Sequence, residues 1–179
     1  DGAFLSWENL WHAYANIQAF ALLTVGQQIK NTTMIAAAKK EIDHFYPAVL
    51  KQGGLEHFFV KKENDHVTPY DIKQFNQIAY GRRPMICGAL QASEYSLRKH
   101  TQYLRLAEDL AMWFFGSNPA NQTMYEVPTG RGYDGIQSPT QINRNAGAES
   151  TIESLLPPQY LERRGVHYDQ QAKAFRDIQ

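Results

Sequence analysis

Phe4-Leu5-Ser6-Trp7-Glu8-Asn9-Leu10-Trp11-His12-Ala13-Tyr14-Ala15-Asn16-Ile17-Gln18-Ala19-Phe20-Ala21-Leu22 places its apolar residues at three- and four-residue spacings, the period of a helix. Read this way, the run is one helix through about Val25, apolar around much of its girth. Gly26 is a stop, and Asn31-Thr32-Thr33 offers caps for a second helix through about Leu50, with Lys39, Lys40, Glu41 and Asp43 on its polar face. The pair reads as a helical hairpin, and the rest of the chain is read outward from it.

Gly53-Gly54 ends that unit. The segment up to Thr68 is loop-like, with Phe58-Phe59-Val60 the only stretch that suits a short strand. Thr68 as cap, Pro69 at the first position and Asp71 in the first turn predict a short helix to about Tyr80. After Gly81-Arg82-Arg83-Pro84, Met85 to Leu97 reads as a largely buried helix and Thr101 to Phe115 as its amphipathic partner, with Gly116 closing this second hairpin. Residues 117–145 hold no sustained period and exceed the loop length of about 12 to 15 residues expected in a compact domain, so they are expected to form a long functional loop. A last helix runs from near Ala146 to Leu156, ended by Pro157-Pro158, and a short one is expected near Gln170 to Asp177. The expected fold class is all-α, with helical hairpins forming part of an (α/α) toroid in one helical domain over residues 1–179. An irregular helical bundle is the alternative.

Composition narrows the function. In 179 residues, 18 basic side chains balance 18 acidic ones, with no basic blocks, so a nucleic-acid partner is not expected. Apolar stretches fall short of the roughly 20 residues needed to cross a bilayer, and no signal sequence opens the chain. Neither a membrane partner nor an address is read, and cytoplasm is the default compartment. The start at Asp1, almost directly inside a periodic pattern, suggests a processed form or a fragment. The single Cys87 sits in an apolar run, where a small hydrophobe fits. Six scattered histidines form no HExxH or close His/Cys/carboxylate spacing, so no metal is expected, and no phosphate or dinucleotide loop implies a cofactor.

The segment Gly130-Arg131-Gly132-Tyr133-Asp134-Gly135-Ile136 carries a binding vocabulary: glycines that turn or approach a ligand, and donors, a stacking face and an acceptor in Arg131, Tyr133 and Asp134. A tight turn with an Asp-Gly bend explains it equally. Asn143 and Asn145 precede a helix in which Glu149 lies early, where the dipole favours a carboxylate. Each asparagine suits either a cap or a bond to a sugar hydroxyl. Two carboxylates are the minimum equipment for glycoside hydrolysis, and Asp134 with Glu149 is the best pair here, although a first-turn role accounts for Glu149 as well. Trp7, Trp11 and Tyr14 share a helical face. Trp11 and Tyr14 read as core, and Trp7 as a residue that reaches a cleft.

Ile78-Ala79-Tyr80-Gly81 with Arg83-Pro84, Ala107 to Gly116 ending in Trp113-Phe114-Phe115-Gly116, Asn118, Met124-Tyr125, and the Gly-Tyr-Asp-Gly and Asn-Ala-Gly-Ala-Glu-Ser-Thr motifs form a series. It resembles the C-terminal part of six-hairpin (α/α) toroid proteins of bacteria, a superfamily rich in glycoside hydrolases, over residues 1–156. The resemblance implies a carbohydrate partner, with Glu149 as general acid and Asp134 as base or orienting carboxylate. Arg131, Tyr133, Asn143, Asn145 and Trp7 would then hold the sugar. The paired aspartates of the inverting members are not in this chain. A non-catalytic helical module beside a separate transferase or phosphorylase domain is therefore the competing reading. Half a toroid would also expose apolar flanks, which implies a homodimer or an upstream segment of the same protein.

Overall fold

The computed structural model describes residues 2–126 and 128–166, and the helix expected near Gln170 lies outside them. Strand and helix contents of 19% and 51%, with three antiparallel sheets, make the fold mixed α/β. The expectation of an all-α chain built of toroid hairpins is corrected by those sheets, and the resemblance to six-hairpin toroids fails at the level of architecture.

The error begins in the opening run. Leu10–His12 is strand β1, Ala13–Ala15 a 3-10 turn, and only Gln18–Gln28 forms helix α1. Long-range pairing overrides the local period, because Leu10, Trp11 and His12 lie opposite Phe59, Phe58 and His57 of β2 (His57–Glu63). Trp11 stacks on Phe58 with ring centroids 5.5 Å apart and meets Phe45 edge-on at 5.0 Å, which buries the indole completely. Strand β2 continues through Asn64, at φ 55°, into the exposed strand β3 (His66–Lys73). Thr68-Pro69 is therefore mid-strand rather than a helix start: Pro69 sits opposite Val60 on a strand with one unpaired side, where a missing N–H is tolerated. Asp71, at φ 46°, lies at a register slip between the two strands.

Elsewhere the helical reading stands. Asn31 caps α2 (Thr32–Lys40) by accepting from the Met34 amide at 3.0 Å, and a π-helical turn at Glu41–Phe45 carries the chain into α3 (Tyr46–Lys51). Helices α4 (Arg83–Tyr95) and α5 (His100–Ala111) form the second hairpin, which ends in a 3-10 turn at Met112–Phe115 and Gly116 at φ 110°. Helix α1 packs on α2 and α4.

The segment read as a long loop contains strands. Gln77–Ile78 (β4), Gly135–Ser138 (β7) and Gln141–Asn143 (β8) form one sheet in the order β4-β7-β8, and Tyr125–Glu126 (β5) pairs with Arg131–Gly132 (β6). Helix α6 spans Ala148–Glu162 and passes through Pro157 and Pro158 instead of ending there. The glycines of Gly-Tyr-Asp-Gly serve close packing. A Cβ on Gly132 would lie 2.1 Å from Ser154 Oγ and 2.4 Å from the Ser150 carbonyl oxygen of α6, and one on Gly135 would lie 2.0 Å from the Gln77 carbonyl oxygen of β4.

Glu41 ties the amino-terminal segment to the helices. Its Oε2 accepts from the Phe4 amide at 2.9 Å while Oε1 is buried without a partner, and burial pushes its carboxyl up to about 8 from the ordinary 4.5.

Gly135→Ala should cost about 2 kcal/mol and lower the melting temperature by roughly 5 °C, whereas Gly147→Ala, with nothing within 4 Å of the added carbon, should cost less, through the poorer helix cap alone; calorimetry compares the two. For Glu41, the folded state holds its proton more tightly than the unfolded one. Its stabilising share is complete below about pH 4.5 and is lost as the pH rises to about 8. Melting temperatures measured between pH 5 and 8.5 should fall, and Glu41→Gln should flatten that slope.

Candidate functional site

Two short turns bring the site together. Gly81 ends the 3-10 turn Ala79–Gly81, and a Cβ there would stand 3.0 Å from the Ala13 Cβ, so the bare glycine lets this turn settle against Ala13–Ala15. Buried Asn16 locks the contact by donating from Nδ2 to the Gly81 carbonyl at 2.8 Å. His12 Nδ1 accepts from the Tyr14 amide at 3.0 Å and so caps the first turn. The result is a stacked pair, Tyr14 on Tyr80, with centroids 4.7 Å apart at 26°. Tyr14, expected in the core, is instead 52% exposed.

The Ala79 amide donates to the Asp134 carbonyl at 2.9 Å, which sets the next residue type beside the tyrosines. Asp134 Oδ1 accepts from Ser150 Oγ of α6, and Oδ2 accepts from Asn143 Nδ2 of β8 at 3.5 Å. Glu149, exposed in the first turn of α6, stands next in the chain to Ser150, and no side chain among the described residues is hydrogen-bonded to its carboxylate. Tyr14, Tyr80, Asp134, Asn143, Glu149 and Ser150 line one open cavity of about 320 Å³, within the size range of a small-molecule site. The two carboxylates differ in kind: one is oriented by two donors, the other faces solvent at a helix start whose dipole favours negative charge.

Three of the residues singled out from sequence, Asp134, Asn143 and Glu149, thus meet in one cavity. The others stand apart from it. Arg131 is exposed on β6. Tyr133 packs against the core with the Arg144 guanidinium 5.5 Å from its ring. Asn145 is exposed, its amide donating to Asn143 Oδ1 at 3.1 Å and its carbonyl accepting from the Asp134 amide at 2.9 Å. Neither asparagine caps α6 by its side chain, since Gly147 holds that position. Trp7, 58% exposed, meets the His12 ring edge-on at 6.3 Å instead of the cavity. The sequence reading missed Tyr80 and Ser150 as site residues. Ser150 stands directly after Glu149, but nothing local joins Tyr80 to Tyr14.

A second group of polar side chains comes together on β1 and at the start of β2. His12 and His57 face each other across the ladder with rings 6.0 Å apart, and Glu56 Oε1 lies 3.5 Å from His57 Nδ1. Burial holds the His12 imidazole below its ordinary value; nearby Glu56 opposes that shift and His57 adds to it. Their sequence spacing gives no hint of this meeting.

No protein-family model matches the chain, and no curated protein does either. No helix among the described residues is long and apolar enough to cross a membrane.

Ser150→Ala removes one of the two donors that orient Asp134 and should cost about 1 kcal/mol in urea unfolding with an unchanged m-value; an unaltered midpoint would mean that Ser150 does not hold the carboxylate.

Proposed function

We propose that the chain binds a saccharide in the cavity between the two tyrosine-bearing turns and the start of α6. The observation that carries this reading is the convergence of Asp134, Asn143 and Glu149 beside the stacked Tyr14 and Tyr80. Tyrosine rings offer a flat apolar surface for the C–H face of a pyranose, and their hydroxyls remain available to water and ligand. Carboxylates accept from sugar hydroxyls, and the Asn143 amide has one hydrogen beyond that given to Asp134, together with a second lone pair on Oδ1 beyond the one that accepts from the Asn145 amide. Hydroxyl-rich ligands need many such directional partners around one apolar face, and this cavity supplies both.

The division of labour between the acids follows from their surroundings. Asp134 is an orienting carboxylate, because Ser150 and Asn143 already use its oxygens. Glu149 is the acid with both oxygens available to a ligand, so any proton transfer to a glycosidic oxygen would fall to it. The fold is not a toroid, so its architecture favours no hydrolytic step over binding.

A panel of neutral and acidic oligosaccharides titrated into the chain, followed by calorimetry and by tyrosine resonances, tests the proposal. At least one should bind with shifts centred on Tyr14 and Tyr80. Tyr80→Ala should weaken that binding about tenfold, the loss of one stacking face and its area, and Glu149→Gln should weaken it while lowering the melting temperature by no more than about 4 °C, the loss of one charge at a helix start. Binding indifferent to both substitutions, or none across the panel, would refute it.

A further inference from the structure

We propose that His12, Glu56 and His57 form a binding site for a late first-row divalent cation such as Zn²⁺, separate from the saccharide cavity and independent of that reading. One ligand atom from each residue lies within 4.8 Å of the others, and all three side chains are half-buried, sheltered yet reachable. Two imidazoles and one carboxylate are a donor set that Zn²⁺ and its neighbours in the first row favour over Mg²⁺ or Ca²⁺. Ligand atoms around a tetrahedral ion with bonds of about 2.0 to 2.1 Å lie about 3.4 Å apart, so closure requires side-chain shifts of about an ångström. None of the three side chains is fully enclosed, which leaves room for shifts of that size.

The backbones that carry these groups are already fixed. His12 and His57 are direct partners in the β1–β2 ladder. Ser6 Oγ accepts from the His12 amide at 3.0 Å and donates to the His12 carbonyl at 3.2 Å. The Ala13 amide donates to the Glu56 carbonyl at 2.9 Å, holding Glu56 against the residue that follows His12. Such preorganisation removes much of the ordering cost that an ion would otherwise meet. Three protein ligands leave a fourth position for water.

His12 adds a specific consequence. A neutral imidazole has one in-plane lone pair, and in His12 the Tyr14 amide now occupies it at 3.0 Å. A cation bound by neutral His12 must take that lone pair and release the Tyr14 amide to solvent. Metal binding is thereby linked to the turn that bears Tyr14.

Full-length, tag-free protein titrated with ZnCl₂ by calorimetry, with MgCl₂ as control, tests the site. Saturable one-to-one binding of Zn²⁺ but not Mg²⁺ is expected, weakened roughly 100-fold or more by His57→Gln, since loss of a ligand exceeds the 10- to 100-fold cost of losing an outer partner. Glu56→Gln, a near-isosteric change at a partly exposed position, serves as a second variant should His57→Gln fail to fold, and must also weaken binding. Co²⁺ bound to the unaltered chain should show the intense visible bands of a four-coordinate site, and the backbone amide resonance of Tyr14 should move on saturation. No saturable binding, binding indifferent to these variants, or saturation that leaves the Tyr14 amide unmoved would overturn the assignment.

Discussion

One buried amide holds the halves of this fold together. Gln77 is 1% exposed, and its Oε1 accepts from Arg82 Nη2 at 2.7 Å and from the Trp113 indole at 2.9 Å while its Nε2 donates to the Gly53 carbonyl at 3.0 Å. The end of α3, strand β4, the turn before α4 and the end of α5 all meet at this side chain. Gly54, at φ 108°, is bare because a Cβ there would stand 2.0 Å from Arg82 Nη2. Arg82 itself is a buried cation that donates from Nη2 to the Gln77 amide oxygen, with the Trp113 ring 5.2 Å away, and desolvation lowers its guanidinium to about 10, still charged at neutral pH. Buried polar groups so engaged specify one arrangement, since every competing one strands a donor or a charge.

From that junction the site follows in order. Strand β4 leaves Gln77 and pairs with β7, which places Asp134 just before the paired residues, and the chain after β4 forms the turn that bears Tyr80. The same residue that anchors the core thus sets the distance between the acid and the aromatic wall. Packing and ligand geometry share one framework here, built on strands only two to four residues long.

What the sequence discloses depends on whether the deciding contacts are local. Helices over 32–51, 83–95 and 100–111 are legible because their caps, periods and the glycine at 116 act within a few residues. Strands β1 and β3 are not, since Trp11 is held by Phe58 and Pro69 is tolerated only because its strand lies at an edge. The same division runs through the site. Asp134, Asn143 and Glu149 stand close in sequence around a glycine-rich segment and are found together, whereas Tyr14 with Tyr80, and His12 with His57, are joined by pairing across long separations. The glycines at 132 and 135 look ligand-directed from composition and prove to be contacts between backbone and backbone or helix.

Those two glycines also bear on how this protein can diversify. They bracket Asp134 within four consecutive residues, each pressed against a neighbouring element with no room for even a methyl group. The carboxylate can therefore be neither advanced nor withdrawn by drift in its own segment without unseating β4 or α6. Tyr14 and Glu149 are under no such constraint, being exposed side chains on turns and a helix start. Variation in ligand preference among descendants of this fold would accumulate on the rim of the cavity, around an acid whose position is inherited with the core.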